Sequence, residues 1–428
     1  MTHVDSVRPE QQHTQVSKRI DGRAAWPSVA SGVSGTFGGV LAGIRVLDLS
    51  RVLAGPYTAQ MLSDHGADVL KVEGPDGDET RGWGPPFDDE GTSAYYRGLN
   101  RNKRNISLDL RTDEGQEILG HLLRGADVVV ENFKAGTMAR WGFDYESVLA
   151  PENPRLVYCR ITGFGVDGPM GGAPGYDAVL QSFGGLMSVN GYQDRSPLRV
   201  GVPIVDLMAA NMAFSGILLA VVERFRSGLG QLVDIALLDA VVSMLHPHSA
   251  NWIVDGSVPQ RTGDLHPSVV PYQVFETQDG ELFVSAANDR QFRSMAAVLG
   301  VAELGTDERF STNRGRSAHR EELISLLSGI IATRSRDELA VALDAVGVPA
   351  SPVYTVDQAL RSPQVAHRKL LVETDDYRGI GVPIALSRSS TTVPVNAVPR
   401  GANTIETLAA MGYTEADVTG FEQSGAIG

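Results

Sequence analysis

Short apolar segments alternate with longer amphipathic segments through the first part of the chain. The predicted strands cover residues 44–49, 67–72, 126–130 and 155–161, and the predicted helices cover residues 57–65 and 115–124. Pro56 stands where the first helix is expected to begin, and Gly66 stands where it is expected to end. Short apolar strands that alternate with helices indicate a parallel sheet covered by helices, and hence an α/β fold.

The pattern changes towards the end of the chain. The later predicted elements are a helix at 208–226, a strand at 232–235, a helix at 238–245, strands at 272–275 and 282–286, helices at 290–299, 320–331 and 336–345, and closing helices at 404–412 and 415–422. Asp279-Gly280 lies between two of these strands and predicts a hairpin. Residues 246–270 are predicted to form a loop. We therefore expect a large domain whose first part is residues 41–245, followed by a linker and a smaller α+β domain over residues 246–365.

Composition limits the class of protein. The chain has 428 residues, of which 42% are hydrophobic and 21% are charged, as in soluble globular proteins of about two domains. The net charge of −14 argues against nucleic acid as a partner. No apolar run reaches the roughly 18 residues of a membrane span. Cys159 is the single cysteine, which fits a reducing, cytoplasmic location. Residues 1–40 lack periodicity and the apolar core of a secretory signal, and are predicted to be a flexible tail.

Asp206 is the first candidate for chemistry. It ends the segment Gly-Val-Pro-Ile-Val-Asp at 201–206, at the start of the predicted apolar helix. A carboxylate is costly to bury, and the amides and dipole of a helix N-terminus favour negative charge. This placement suits a partly desolvated nucleophile or base. The alternative is an ordinary N-cap, because aspartate is a preferred cap residue.

Asp177 is a second candidate carboxylate, at the end of the glycine-dense stretch 163–177 that follows the predicted strand 155–161. Loops beyond the carboxyl ends of parallel strands are where α/β sheets bind ligands, and glycine permits close approach of the backbone. Spacing does not rank Asp177 against Asp206. The G-x-G-x-x-G fingerprint is absent after the first strand, so any nucleotide is expected to be held differently from a dinucleotide in this type of sheet.

Two clusters of charged or metal-ligating side chains have alternative interpretations. Residues 100–104 carry the cations Arg101, Lys103 and Arg104, which form either a solvated face or a phosphate-binding patch. His246, His248 and His266 lack the helical spacing of zinc hydrolases, and no cysteine assists them. We therefore expect a loop there and no metal site.

The ordered motifs resemble a known family. They are Val46-Leu47-Asp48-Leu49, Ala54-Gly55-Pro56, Gly66-Ala67-Asp68-Val69-Leu70-Lys71-Val72-Glu73, Asn102-Lys103-Arg104, Ala126-Asp127-Val128-Val129-Val130-Glu131-Asn132-Phe133, Thr162-Gly163-Phe164-Gly165 and Gly175-Tyr176-Asp177. From Leu41 onward the chain resembles the class III coenzyme A transferases, the family of formyl-CoA transferase. The resemblance implies a ring-shaped subunit in an interlocked homodimer. It also implies a Rossmann-type large domain, completed by residues 366–428 returning from the small domain.

The resemblance also implies chemistry for particular residues. Asp206 matches the nucleophilic aspartate, which forms a mixed anhydride and then an aspartyl-CoA thioester. No permanently bound cofactor is expected, because coenzyme A and acyl-CoA are substrates and a carboxylic acid is the acceptor. Tyr176, Asp177 and His266 are possible supporting residues. The implied coenzyme A contacts are Val52, Leu53, Ala54, Leu108, Arg111, Asn132, Phe133 and Arg140, and the cation run adds Arg104.

Two alternative functions and a substrate class follow from departures within the family. The related α-methylacyl-CoA racemases have a proton-transferring histidine where this chain has Tyr176, a weaker base at neutral pH, which favours a transferase. The presence of Asp206 counts against a non-catalytic CoA-binding homologue. Segments 83–87 and 266–273 resemble transferases of the succinate–hydroxymethylglutarate type, so we expect succinyl-CoA as donor and a short dicarboxylate as acceptor. Arg81, Arg104 or His266 is expected to bind its distal carboxylate.

Overall fold

The computed structural model describes residues 26–27, 39–375 and 377–428. Most of the tail predicted for residues 1–40 lies outside the described residues. The strands of the large sheet are β1 (Arg45–Asp48), β2 (Asp68–Glu73), β3 (Arg104–Ser107), β4 (Val128–Glu131), β5 (Val157–Thr162) and β6 (Leu232–Ala236). They lie in the order β3-β2-β1-β4-β5-β6, and every neighbouring pair is parallel. The predicted α/β fold is confirmed, with the strand order of a doubly wound Rossmann sheet.

Helices connect these strands and cover the sheet. They are α1 (Ala54–Asp64), α2 (Ala94–Arg97), α3 (Asp113–Gly125), α4 (Thr137–Arg140), α5 (Ala150–Glu152), α6 (Asp177–Phe183), α7 (Leu186–Val189), α8 (Ile204–Ser227), α9 (Leu237–Ser243) and α10 (His248–Asp255). Helix α1 begins at Ala54, before the predicted start at residue 57. Helix α10 forms inside the predicted loop 246–270. Short 3₁₀ helices cover Glu79–Gly82 and Ala302–Gly305, and a π-helical turn covers Tyr145–Leu149.

A smaller antiparallel sheet follows, with strands β7 (Tyr272–Glu276), β8 (Glu281–Ser285) and β9 (Ala350–Pro352) in that order. The predicted hairpin is present, and β9 is an additional strand. The later elements are α11 (Asp289–Val298), α12 (Asn313–Ala318), α13 (Arg320–Ile331), α14 (Arg336–Asp344), α15 (Val356–Leu360), α16 (Pro363–His367), β10 (Leu371–Thr374), β11 (Tyr377–Ile380), α17 (Thr404–Ala410) and α18 (Glu415–Ser424). A hydrophobic cluster drawn from residues 270–350 packs α11, α13 and α14 around the small sheet.

Helix α8 runs across one face of the large sheet. Its small or branched residues Ala209, Ala213 and Ile217 are fully buried, and a carbonyl of α8 at Ala210 accepts a hydrogen bond from Thr58 Oγ1 of α1 at 3.2 Å. Among the described residues α8 is the one helix long and apolar enough to cross a membrane, and 44% of its most apolar window is buried inside the protein.

The cation run at residues 100–104 lies inside the protein. Lys103 Nζ donates to Asp48 at 2.9 Å, and Arg101 forms an ion pair with Asp64 at 2.6 Å. The side chains of Arg101, Lys103 and Arg104 are all buried. The predictions of a solvated face and of a phosphate-binding patch are therefore both wrong, because each cation compensates a carboxylate that folding has removed from water.

The outer edge of the large sheet is covered by residues near the end of the chain. The Oδ1 atom of Asn403 accepts the amide of Asn105 at 2.9 Å, and Thr404 Oγ1 accepts the amide of Ser107 at 3.0 Å. Leu108, just beyond β3, forms an isolated β-bridge with Ile427. Strand β3 is thus a buried edge strand whose outward polar groups are paired by residues almost 300 positions away.

Candidate active site

A cavity of about 310 Å³ opens at the carboxyl ends of β1, β4 and β5. This is the place where the strand order of the sheet reverses, and open α/β sheets bind ligands there. Its lining includes the turn after β1, the loop after β4 and the glycine-rich loop after β5. Asp206, from the first turn of α8, also lines it. A second cavity of about 250 Å³ adjoins it at the ends of β2 and β3, and Arg51 and Phe133 line both.

The turn after β1 is held by side chains in place of the missing glycine fingerprint. The Arg51 amide donates to Asn132 Oδ1 at 2.8 Å, and Asn132 Nδ2 donates back to the Arg51 carbonyl at 2.7 Å. The Val52 amide donates to Asp78 Oδ2 at 3.2 Å. Val52 has a φ of 70°, which is strained for a β-branched residue. The amides of Arg51 and Val52 already donate to side chains, so they are not available to a phosphate. In a glycine-rich phosphate-binding loop the corresponding amides are free.

Buried charges lie directly behind this turn. Lys71 donates to the Ser50 carbonyl at 2.8 Å and lies 3.4 Å from Asp78. Burial alone would lower the pKa of Lys71, but the carboxylates of Asp48 and Asp78 outweigh burial and raise it. The cation therefore stays charged and joins the turn to strands β1 and β2.

Asp206 is the third residue of α8, and Pro203 occupies the cap position. The alternative that Asp206 is the N-cap is therefore wrong. No hydrogen bond to its carboxylate is found within residues 26–27, 39–375 and 377–428. Burial, followed by the negative charge of Asp177, raises the pKa of Asp206 to about 7. The carboxylate is thus held without donors, which leaves its oxygens available to an electrophile in the cavity.

Asp177 performs the capping. Its Oδ2 accepts the Val205 amide at 2.8 Å and the Asp206 amide at 3.3 Å, which are free donors in the first turn of α8. Its Oδ1 accepts Gln181 Nε2 at 2.6 Å. Asp177 is buried and is not part of the cavity lining, whereas Asp206 is. Geometry therefore ranks the two carboxylates that spacing left equal.

The structure brings most of the remaining candidate residues together. Val52, Leu53, Ala54, Asn132, Phe133 and Tyr176 line the first cavity. Leu108, Arg111 and Phe133 line the second cavity. Arg111 is exposed there and is paired with Asp109 at 2.7 Å. The two cavities share Arg51 and Phe133, and together they gather the residues after β1, β3 and β4 into a cleft whose lining includes Asp206.

Three candidate residues lie elsewhere. Arg104 begins β3 at the amino edge of the sheet, opposite the cavities, where it pairs with Asp68 at 2.9 Å. The expectation that Arg104 contacts coenzyme A is therefore wrong, because the parallel strands place it at the other end. His266 packs edge-on against Tyr272 beside the small sheet and lines neither cavity. Arg140 also lines neither, and donates to Thr137 Oγ1 at 2.8 Å.

Arg81 is also unavailable to a substrate carboxylate. Its guanidinium donates to both oxygens of Glu73, at 2.8 and 2.9 Å, and lies over the Tyr96 ring. The cations in the first cavity are instead Arg51 and Lys134. Arg51 is paired with Glu79 at 2.9 Å. Lys134 is exposed and has no ion pair with any residue that the structure describes. Nothing in the sequence distinguished Lys134 from other surface lysines.

Tyr95 is another residue that sequence reasoning missed. Burial, and then the negative charges of Asp206 and Asp177, raise its pKa to about 12, so Tyr95 lies within electrostatic range of both carboxylates. Its ring packs edge-on against Trp83 at 5.3 Å. Segment 83–87, singled out in the sequence, is therefore close to the site. Within the described part of the chain no group of three or more His, Cys, Asp or Glu residues has the arrangement of a metal site.

Comparisons with known proteins extend these observations. Residues 41–404 match the family described as CoA-transferase family III. The succinate–glutarate CoA-transferase of Agrobacterium fabrum is 43% identical over 80% of this chain and 87% of its own length. The succinyl-CoA–D-citramalate CoA-transferase of Chloroflexus aurantiacus is 38% identical over 78% of this chain and 83% of its own. A crystal structure of a CaiB/BaiF family protein from Brucella suis has a TM-score of 0.81 and 40% identity, and covers 87% of this chain and 100% of that chain.

Proposed function

This chain belongs to CoA-transferase family III and is a CoA-transferase, and we propose that it moves coenzyme A from succinyl-CoA to a short dicarboxylic acid. The observation that carries the proposal is the carboxylate of Asp206, which accepts no hydrogen bond from the described residues and lines the cavity at the carboxyl ends of the sheet. The substrates named for the Agrobacterium and Chloroflexus relatives support the choice of donor and acceptor.

The proposed reaction is covalent and returns Asp206 to its starting form. The Asp206 carboxylate attacks the thioester carbonyl of succinyl-CoA, which gives a mixed anhydride and the thiolate of coenzyme A. The thiolate attacks the aspartyl carbonyl, so succinate leaves and an aspartyl-CoA thioester remains. The acceptor carboxylate displaces the thiolate to form a second anhydride, and the thiolate then attacks the acceptor's acyl carbon. Every intermediate is an activated acyl group, so no ATP and no permanently bound cofactor are needed.

The cleft suggests how coenzyme A lies. We place its nucleotide end in the second cavity, where the exposed Arg111 supplies a cation, and its thioester in the first cavity beside Asp206. Phe133, which lines both cavities and packs edge-on against Trp141 at 5.2 Å, separates the two ends. Val52, Leu53 and Ala54 then contact the middle of the ligand.

The interlocked homodimer belongs to the same proposal. Leu219, Val222 and Phe225 leave one face of α8 apolar and exposed, with Phe225 81% accessible. Ile253 and Val254 on α10 are also exposed. Contiguous apolar surface of this kind marks an interaction site, and a second copy of the chain is the proposed occupant. The division into parts 41–245, 246–365 and 366–428, and the cytoplasmic location, remain part of the proposal.

The test is CoA transfer from succinyl-CoA to a panel of free acids, with purified wild type, Asp206→Ala and Asp206→Asn. Both variants are expected to lose transfer while keeping the far-ultraviolet circular dichroism of the wild type. Hydroxylamine added during turnover is expected to convert Asp206 to a hydroxamate that peptide mass spectrometry detects. A hydroxamate at Asp177 would show that Asp177 is the nucleophile and that the assignment to Asp206 is wrong. Deuterium incorporation at carbon α without transfer would identify an epimerase instead.

A further inference from the structure

Gln181 lies in α6 and has no accessible surface. Both polar atoms of its side chain are used. Oε1 accepts the Val200 amide at 2.7 Å, and Nε2 donates to Asp177 Oδ1 at 2.6 Å. One buried side chain therefore connects the beginning of segment 200–206 to the carboxylate that caps its end.

These contacts determine which way the amide of Gln181 is oriented. A backbone N–H group can only donate, so the oxygen of Gln181 must face Val200 and its NH₂ group must face Asp177. The NH₂ group can only donate in turn.

The other side of Asp177 also meets donors only. Its Oδ2 accepts the amides of Val205 and Asp206. Asp177 is thus surrounded by one side-chain and two backbone donors, and it has no cationic partner among residues that the structure describes. These three donors fix where the Asp177 carboxylate lies relative to Asp206.

Among the described residues, few charged or titratable groups lie around Asp206. Asp177 lies on α6, and the Tyr95 phenol on α2 stays protonated at neutral pH because its pKa is raised to about 12. Across the cavity lie Lys134 and the paired Arg51 and Glu79. Of these groups, Asp177 is the one that contributes to the raised pKa of Asp206, after burial.

We infer that Gln181 is a positioning residue for the proposed transfer: through Asp177 it fixes both ends of segment 200–206 and the position of the Asp177 carboxylate beside Asp206. It touches neither substrate nor the reacting atoms. The inference rests on the proposed function, because it assumes that Asp206 is the nucleophile. Its two consequences are separable, since one concerns the geometry of the nucleophile and the other concerns its protonation.

The test compares Gln181→Leu and Gln181→Glu with wild type across pH. Leucine removes the donor that holds the Asp177 carboxylate beside Asp206, so the charge of Asp177 is expected to act on Asp206 less strongly and the acid limb of kcat/KM to move to lower pH, by about one unit. Glutamate keeps the shape but adds a third carboxylate, so the limb is expected to move to higher pH. In both variants kcat is expected to fall at least about tenfold, with KM for succinyl-CoA changed less than about threefold, because the substrate cleft is intact.

Gln291→Leu is the matched control. Gln291 is a helix glutamine of α11 whose Nε2 donates to the Gly347 carbonyl at 3.0 Å, away from both cavities. Its kinetics and pH profile are expected to equal those of wild type. If Gln181→Leu does not fold, the acid limb of kcat/KM in Gln181→Glu tests the inference. A move to higher pH supports it, and a move to lower pH overturns it. Loss of kcat with an unchanged pH profile in the folded variants would reduce Gln181 to a packing role and overturn the inference.

A measurement independent of turnover separates the two proposals. The carboxyl carbon of Asp206, assigned by its loss in Asp206→Asn, is titrated by ¹³C NMR in wild type and both Gln181 variants. Opposite shifts of its midpoint in the two variants support the inference even if succinyl-CoA proves to be the wrong donor. Identical midpoints in an enzyme that does transfer CoA overturn the inference alone. Absence of transfer from succinyl-CoA to any acid overturns only the proposed function.

Discussion

The carboxylate of Asp177 accepts the backbone amide of Asp206 at 3.3 Å, so one aspartate caps the helix that presents the other. The two residues are 29 positions apart in sequence. Because Asp177 satisfies the free amides of the first turn, Asp206 does not receive the stabilisation that a helix N-terminus offers to a negative charge. Burial, and then the negative charge of Asp177, raise the pKa of Asp206 to about 7. The side chain that caps the helix therefore both positions the nucleophile and disfavours its ionised form.

Asp206→Asn is expected to stabilise the fold at neutral and alkaline pH. The pKa of Asp206 is about 7 in the folded protein against an ordinary 3.8. The folded state therefore binds more protons between these values, and the wild type loses stability as pH rises from about 4 to about 7. Asparagine does not ionise. Urea unfolding is expected to show Asp206→Asn more stable by about 1–4 kcal/mol at pH 8 and nearly equal to wild type at pH 4. A variant that is less stable at pH 8 would contradict the setting of Asp206, which is partly buried and accepts no hydrogen bond on its carboxylate from the described residues.

The pH dependence of transfer is expected to follow the same group. Only the ionised carboxylate is a nucleophile, so kcat/KM is expected to rise with pH and level off above about pH 7. The measurement is kcat/KM for succinyl-CoA from pH 5 to pH 9 at constant ionic strength. A profile that is already flat at pH 5 would mean that Asp206 ionises as an ordinary surface aspartate.

The strained turn after β1 predicts that glycine at position 52 gives a more stable protein than alanine, the reverse of the usual order. Val52 has a φ of 70°, where any residue with a Cβ is disfavoured by about 1–2 kcal/mol relative to glycine. Val52→Gly is therefore expected to be more stable than Val52→Ala, although alanine usually stabilises relative to glycine by limiting the unfolded chain. Both variants keep the amide that donates to Asp78. The melting temperatures of the two variants, measured at one pH, give the order of stability. A higher melting temperature for Val52→Ala than for Val52→Gly would exclude strain at this turn.

The interlocked dimer predicts that subunits do not separate on dilution. Threaded rings come apart only when a subunit unfolds, so the sedimentation coefficient is expected to stay constant from micromolar to low nanomolar concentration. Fluorescence-detected sedimentation of a labelled protein makes this measurement. An active monomer at low concentration would leave the exposed apolar face of α8 to another partner.

The parallel sheet and the core helix α8 are predictable because burial in these elements follows sequence periodicity. Strand β3 is not, since Arg104, Asn105 and Ser107 match no apolar pattern. Arg104 and Asn105 are buried because the carboxylates of Asp68 and Glu73 accept their side-chain donors. Asn403 and Thr404 accept the backbone amides of Asn105 and Ser107, and these partners are distant in sequence. The roles of Arg101 and Lys103 are not predictable for the same reason. In the sequence they resemble surface cations, and only the fold brings them into contact with Asp64 and Asp48.

The candidate site is predictable in part, for a related reason. Asp206 and the residues after β1 and β4 stand at strand and helix ends, which the alternating pattern locates. The capping role of Asp177 depends on how α6 meets α8, a tertiary relationship that no local pattern encodes. The cations of the cavity, Arg51 and Lys134, also depend on which loops meet, and Arg81 is excluded only by its contact with Glu73.

The pairing of cations in the cavity leads to a prediction about acceptor choice. A dicarboxylate brings a second negative charge close to the anionic Asp206, and that charge needs a cation because an unpaired buried charge is costly. Arg51 already forms an ion pair with Glu79, whereas Lys134 has no carboxylate partner within the described residues. We therefore expect Lys134 to bind the distal carboxylate of the acceptor.

Lys134→Met keeps the length of the side chain and removes its charge. Wild type is expected to favour glutarate over pentanoate, its monoacid analogue of equal length, by at least about tenfold in kcat/KM, since an interaction of about 1.4 kcal/mol corresponds to a factor of ten. The variant is expected to lose most of this preference through a raised KM for glutarate, while Lys134→Arg retains it. Arg290→Met, which removes an exposed cation from α11, is the control and should leave the preference unchanged. If Lys134→Met instead raises KM for succinyl-CoA and leaves the acid preference intact, the lysine binds a phosphate of coenzyme A, and the distal carboxylate must find its cation in Arg51 or in a partner subunit.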